Sequence, residues 1–142
     1  MLALWNSIPP NRPKNLAGYM VTLARNASQS QRYTPVLQPD GKGVEITGVS
    51  VTHTELRTYI EITAKIPQTM LEDGICFRFP PDSPYANSST GGYTEELEPG
   101  VYRFTEEMVK TDLGDSFSME LISVFGPEGK TVLDTVEFVK EP

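Results

Sequence analysis

The side chains in this sequence that could do chemistry are one histidine, one cysteine and several close pairs of acids. His53 lies at the corner between two predicted strands, and the chain has no Gly-x-Ser-x-Gly nucleophile motif to accompany it. Because a catalytic triad needs a nucleophile beside the histidine, we expect His53 to be a turn residue without a catalytic role. Cys76 lies in an apolar run, which predicts a small buried side chain rather than a reactive thiol.

The acidic clusters suggest two kinds of chemistry, glycoside hydrolysis and calcium binding. A glycosidase needs two carboxylates that face one cleft, whereas the adjacent pairs Glu95-Glu96 and Glu106-Glu107 would point to opposite faces of a strand. Asp112 and Asp115 carry the oxygen ligands that calcium prefers, yet their spacing matches no calcium-binding loop. We therefore expect no catalytic residue, no metal site and no cofactor, and we assign these acids to solvated surface and turns.

Tyr85 and Tyr93 are the candidate ligand-binding residues. They lie in residues 82–93, which are rich in Gly, Ser, Asn and Pro and predict a long loop. Aromatic rings on a polar loop often form a stacking surface for a ligand. The alternative is a connection without a binding role. Gly91-Gly92 lacks the lysine and the following helix of a phosphate-binding loop.

Alternation of apolar and polar residues predicts the strands that must position these side chains. The regular β pattern begins at Val44, and its parity switches at Gly48, which predicts a β-bulge. The clearest strand is Thr58–Ile66, and the clearest hairpin joins residues 116–125 to residues 131–139 through a turn that contains Gly and Pro.

Six or seven short strands between residues 44 and 139 predict an all-β fold, and we expect an immunoglobulin-like β-sandwich with a Pro-rich N-terminal extension. A closed barrel is the alternative. The expected domains are a Pro-rich entry segment at residues 1–15 and a single β-sandwich domain at residues 16–142, with a first strand within residues 16–25. Nine side chains are expected in the core: Ile60, Ile62, Phe77, Phe104, Phe117, Met119, Leu121, Val136 and Phe138.

The net charge of −7, from 19 acidic and 12 basic residues, disfavours nucleic acid as a partner. It also disfavours direct contact between this part of a protein and an anionic membrane. No run approaches the roughly 20 apolar residues of a membrane-spanning helix. A single cysteine cannot form an internal disulfide, so cysteine content leaves the cellular compartment open.

One stretch carries a family-level pattern. It consists of Tyr33-Thr-Pro35, a Gly41-Lys-Gly43 turn and the strand Val44–Thr52, which leads into Thr58-Tyr-Ile-Glu-Ile62. The pattern resembles the extracellular domain that follows the transmembrane helix in anti-sigma-factor-like proteins of Gram-positive bacteria. The resemblance covers residues 16–66, and the later strands only in general character. It implies neither enzyme activity nor defined ligand residues. The membrane helix and the sigma-binding segment of that family are lacking here.

We therefore expect a non-enzymatic sensor or interaction domain of a membrane-anchored regulatory or envelope protein. It would lie on the extracellular face of the membrane, with a cytoplasmic location left open. The alternative is a carbohydrate-binding or adhesion module that uses Tyr85 and Tyr93, and a small hydrolase ranks last. The expected partner is a protein or a glycan, and we expect it to contact residues 82–93.

Overall fold

The structure, a computed structural model, describes residues 29–40, 43–126 and 129–142. The predictions of an entry segment at residues 1–15 and of a strand within residues 16–25 lie outside them. The described residues form eight strands and one short helix: β1 Gln29–Pro35, β2 Glu45–His53, β3 Arg57–Lys65, α1 Gln68–Leu71, β4 Ile75–Arg78, β5 Ser89–Glu98, β6 Val101–Val109, β7 Ser116–Gly126 and β8 Gly129–Lys140.

The eight strands form one continuous sheet in the order β4-β7-β8-β1-β2-β3-β6-β5, and every neighbouring pair is antiparallel. The sheet curls so far that its two ends approach each other. Phe77 of β4 packs edge-on against Phe104 of β6, with 5.2 Å between ring centroids. The all-β prediction is confirmed. The two layers expected of a sandwich are opposing walls of this single sheet, whose geometry is that of a nearly closed barrel.

The strands predicted from the clearest alternation, β2, β3, β7 and β8, are present in the structure. In β3 every second residue from Thr58 to Ala64 is buried. In β2 the register shifts between Ile46 and Gly48, because Thr47 is an extra residue with no counterpart on β3. This bulge resets the alternation, so that the apolar residues on both sides of it face the core. The bulge predicted at Gly48 is confirmed.

The core fills the space inside the curled sheet. Phe117 is its centre, with ring centroids 5.0 Å from Tyr33 and 5.3 Å from Phe138. The phenolic hydroxyl of Tyr33 donates a hydrogen bond to the carbonyl of Gly114, at 2.6 Å, which satisfies the polar end of this buried ring. All nine side chains predicted for the core are buried.

Two predictions need correction. The loop expected at residues 82–93 ends at Ser88, because Ser89 begins β5. All ten residues of β5 are exposed, so this strand has no buried face and lacks the alternation by which a strand is recognised. Cys76 is half-buried rather than buried, because it alternates along β4 with the buried residues Ile75 and Phe77 and so lies on the opposite face of the strand.

Candidate functional site

The candidate site lies where the sheet fails to close. Of the described strands, β4 pairs only with β7, and β5 pairs only with β6. Each edge strand therefore leaves one row of backbone N–H and C=O groups without a strand partner. Between the two edges is a cavity of about 220 Å³, here called the seam recess. Its rim combines residues of three strands: Cys76 of β4, Gly92 of β5 and Glu106 of β6. Its floor consists of five core side chains: Ile60, Ile62, Phe77, Phe104 and Met119.

Among the described residues, Glu106 is the only carboxylate that lines the seam recess. It lies between Phe104 and Met108 in the alternation of β6, and both of those side chains are buried. Its partner on β3 is the fully buried Ile60. Glu106 therefore faces the inside of the sheet.

The environment of Glu106 disfavours its charge. Burial raises the pKa of the Glu106 carboxyl, and a hydrogen bond donated by the Ser89 hydroxyl to Oε2 opposes that shift only in part. No described lysine or arginine nitrogen lies within 4.0 Å of this carboxylate. Glu106 is thus a partly buried acid whose charge no neighbouring cation balances.

Other glutamates of the sheet are paired with a cation or a hydroxyl group. Glu107 Oε2 lies 3.1 Å from Arg57 Nε on the outer face, and Glu95 Oε1 lies 2.6 Å from an Arg103 Nη atom. Glu96 accepts a hydrogen bond from the Tyr102 hydroxyl at 3.2 Å. Adjacent acids in β5 and β6 therefore have different partners, as expected for side chains on opposite faces of a strand.

Gly92 keeps the approach to Glu106 open from the β5 side. The two residues are directly paired across β5 and β6. A Cβ atom at Gly92 would lie 2.7 Å from the Thr105 carbonyl oxygen and 3.1 Å from Glu106 Oε1. A side chain there would require the backbone to shift, and it would cover the carboxylate. Thr105 also lines the recess, and its buried hydroxyl has no hydrogen-bond partner in the described part of the chain.

The predicted binding residues lie in different elements. Tyr85 is half-buried in the connection between β4 and β5, and its ring centroid is 5.4 Å from that of Phe79. Tyr93 lies within β5 opposite Thr105, and 60% of it is exposed. Tyr93 lines the seam recess and Tyr85 does not.

The remaining candidates have local contacts. His53, the last residue of β2, has its Nδ1 atom 2.9 Å from the Thr58 hydroxyl. Asp112 accepts a hydrogen bond from the backbone N–H of Gly114 at 2.9 Å, which is turn chemistry. Asp115 is almost fully exposed and lies 3.7 Å from Lys140 Nζ. Across the described ranges, no three His, Cys, Asp or Glu side chains come together in a group able to hold a metal ion.

Sequence reasoning missed Gly92 and Glu106 as site residues. Gly92 was assigned to a loop, and Glu106 to the solvated surface. The signal that could have identified Glu106 is its position between Phe104 and Met108, since it is a carboxylate at an inward-facing position of a strand.

No helix in residues 29–40, 43–126 or 129–142 is long and apolar enough to cross a bilayer. No protein-family model, curated protein or solved structure matches the chain.

Proposed function

We propose that this domain is a non-enzymatic interaction domain that binds an extended polypeptide segment along the free edge of β5. The observation that carries the proposal is a sheet with an unpaired ten-residue edge strand beside an apolar recess. An incoming strand can hydrogen-bond to such an edge, while its alternate side chains enter pockets next to it. Both parts of this recognition mode are present at the seam.

The irregularities of β5 mark the part of the edge available for pairing. Its register with β6 shifts between Ser89 and Gly91 and again between Glu96 and Glu98. Bulges of this kind protect exposed edges from unwanted pairing. The stretch between the two shifts, residues 91–96, is regular and is close to the usual length of a strand.

The charge of β5 indicates the kind of partner. This strand contains three glutamates and no lysine or arginine, in a chain with a net charge of −7. Like charges brought together on neighbouring strands destabilise pairing, and opposite charges favour it. The partner that fits is therefore an extended segment with basic residues.

We also propose that the domain lies on the extracellular face of a membrane-anchored regulatory or envelope protein. The resemblance of residues 16–66 to the extracellular domains of anti-sigma-factor-like proteins supports this location. A protease added to intact cells should degrade the domain if it lies outside the membrane. Survival of the domain under conditions that degrade a known surface protein would contradict the location.

The test of strand addition uses a synthetic peptide of about nine residues, near the usual strand length. Its sequence is Thr-Thr-Val-Thr-Lys-Thr-Val-Thr-Thr with blocked ends, here called the lysine peptide. Amide chemical shifts of the protein are followed as the peptide is added at millimolar concentration. We expect the largest changes on β5 and β4.

Two proline variants locate the pairing edge. Successive N–H groups of a strand point to opposite sides, so one of Tyr93→Pro and Thr94→Pro removes a hydrogen bond to β6 and the other removes an outward N–H. The variant that keeps the melting temperature of the parent is the one that has lost the outward N–H. We expect that variant to lose peptide binding. The alanine variant at the same position, Tyr93→Ala or Thr94→Ala, is the matched control, and it should still bind because it keeps the backbone donor. Peptide binding that survives in both proline variants would contradict strand addition.

Glycan binding is the second candidate function, and the exposed ring of Tyr93 favours it. Tyr93 shares the outer face of the sheet with Tyr59, because they pair with the alternate residues Thr105 and Glu107 of β6. In this case Tyr93→Ala would abolish binding on a glycan array, since a stacking surface depends on the ring. Tyr93 is the sharper test position, because Tyr85→Ala would also remove the contact with Phe79.

A further inference from the structure

We propose that the seam recess selects a lysine side chain of the added strand, whose ammonium group binds the carboxylate of Glu106. This inference rests on the proposed function, because the lysine reaches the recess from a segment paired with β5. It adds a residue-level specificity that pairing between backbones does not supply.

A lysine of the added strand would lie within reach of Glu106. Neighbouring strands lie about 4.8 Å apart, so an inward-facing residue beside Gly92 would begin about that far from the Gly92 backbone. Glu106 Oε1 lies 3.1 Å from the place where a Gly92 Cβ would be. Because no side chain stands between them, the four-carbon stem of a lysine can cross Gly92 and reach the carboxylate.

The surface along that path suits a lysine side chain. Phe77, Phe104 and Met119 line the recess with apolar atoms, and Glu106 stands at its rim. A lysine can bury its methylene groups on such a surface while its charged end stays near a polar group. The cavity of about 220 Å³ is smaller than the roughly 300 Å³ at which pockets for small molecules begin. It is suited to one side chain.

The hydrogen bonding of the Glu106 carboxylate favours lysine over arginine. The Ser89 hydroxyl occupies Glu106 Oε2, and Oε1 has no hydrogen-bond donor among the described residues. An arginine fork is best satisfied by two carboxylate oxygens together, whereas an ammonium group acts as a point charge and can use one. The single free oxygen therefore favours a primary ammonium group.

The experiment compares three peptides on three proteins. The lysine peptide is matched by versions with norleucine or arginine at the central position, and norleucine keeps the aliphatic stem without the charge. The proteins are the parent, Glu106→Gln and Glu98→Gln. Glu98→Gln removes one exposed charge from β5 and leaves the recess intact. Dissociation constants come from the concentration dependence of the β5 amide shifts.

We expect the parent to bind the lysine peptide about tenfold more tightly than the norleucine peptide, as a hydrogen bond to a charged group allows. The arginine peptide should bind more weakly than the lysine peptide. In Glu106→Gln the preference for lysine over norleucine should vanish, while norleucine binding persists and shows that the variant is folded. Glu98→Gln should keep most of the preference.

Each contrary result has its own meaning. Equal binding of the lysine and norleucine peptides by the parent would overturn the lysine assignment and leave strand addition standing. Loss of the preference to the same extent in Glu98→Gln and Glu106→Gln would also overturn it, because long-range charge would then account for the effect. Absence of shifts on β5 with every peptide would overturn the proposed function and this inference with it.

Discussion

At the scale of single residues, Glu106 stands apart because its ionised form destabilises the folded chain. The apolar floor of the recess withholds solvation from its carboxylate, and no described cation compensates. A buried glutamine could accept the hydrogen bond from Ser89 without this cost. An ionisable group kept in such a place is typical of sites that bind a ligand of opposite charge.

The stability of the protein should depend on pH through the ionisation of Glu106. Because burial raises the pKa of this carboxyl, the folded state holds the proton more tightly than the unfolded chain does. The destabilisation is present at pH values above the folded pKa, and it disappears as the pH falls towards the unfolded value of about 4.3. We expect Glu106→Gln to melt at a higher temperature than the parent near neutral pH. The difference should shrink as the solution is acidified.

Thermal melts of parent and variant over a range of pH test this prediction. Glu98→Gln is the control, since Glu98 is exposed on β5 and should show no such convergence. A Glu106→Gln variant that is less stable than the parent at neutral pH would show that the carboxylate is stabilised in the free protein.

The fully packed residues of the core should be sensitive to truncation. Ile62 and Phe117 are both buried, and the ring of Phe117 contacts those of Tyr33 and Phe138. We expect Ile62→Ala and Phe117→Ala each to lower the free energy of unfolding by about 2–5 kcal/mol, because each leaves a cavity. Urea denaturation measures this loss. Leu56→Ala, at a side chain that is 71% exposed, should change it by less than about 0.5 kcal/mol.

Calcium should have little effect on stability. Asp112 is engaged with the backbone of its own turn, and Asp115 lies beside Lys140. Calcium needs about six or more oxygen ligands. We expect the melting temperature to stay unchanged on addition of millimolar calcium. A saturable rise that is lost in Asp112→Ala or Asp115→Ala would contradict this.

At the scale of elements, strands with one buried face could be predicted from the sequence. In β3 and β7 the inward residues are largely apolar and their neighbours are largely polar, so the sequence itself shows the period of two. The bulge at Gly48 could also be predicted, because the parity of the valines and isoleucines changes there. In both cases the alternation of apolar and polar residues follows from which positions are buried in the core.

The seam could not be predicted in this way. Strand β5 has no buried face, so pairing with β6 alone makes it a strand, and pairing depends on residues distant in the sequence. Glu106 and Cys76 share the recess only because the sheet curls until β4 approaches β6. That curvature is a property of the whole sheet, and no local pattern of residues reports it.

The bulge in β2 predicts the outcome of two deletions. Ile46 pairs with Ala64 and Gly48 with Thr63, so removing Thr47 leaves the register intact on both sides. We expect the Thr47 deletion to fold with its core unchanged. Removing Ser50 instead makes Val49 and Val51 adjacent, which forces one of these buried side chains onto the outer face.

Circular dichroism and urea denaturation distinguish the two deletions. The Ser50 deletion should lose at least about 2–5 kcal/mol of stability, as for a lost core side chain, or fail to fold. A Thr47 deletion that lost more stability than the Ser50 deletion would contradict this prediction. It would show that the bulge itself stabilises the sheet.

At the scale of the whole molecule, the two edge strands are also neighbours in the chain. The connection from β4 to β5 spans residues 79–88, and the ring of Tyr85 packs against Phe79 at its beginning. This segment links the two sides of the seam at one end. The separation of the edges is therefore constrained there by the chain itself.

The alkylation rate of the single cysteine should show whether a peptide is bound at the seam recess. Cys76 lines the recess on the β4 side, and burial raises the pKa of its thiol, so it should react slowly with an alkylating reagent. We expect the lysine peptide to slow alkylation further, because an added strand would cover Cys76. Mass spectrometry of the intact protein follows the reaction without ambiguity, since no second thiol is present. Unchanged alkylation with peptide bound would place the peptide elsewhere.

Strand direction alternates all the way around the sheet, from β4 at one edge to β5 at the other. Eight is an even number, so the two edge strands run in opposite directions. A single added strand that paired with both edges would make the number of strands odd. It would be antiparallel to one edge strand and parallel to the other. Only a two-stranded guest, a hairpin, could restore alternation around a closed ring. A one-strand partner that paired with both edges would therefore have one of its two ladders in the parallel form, which is slightly less stable per residue.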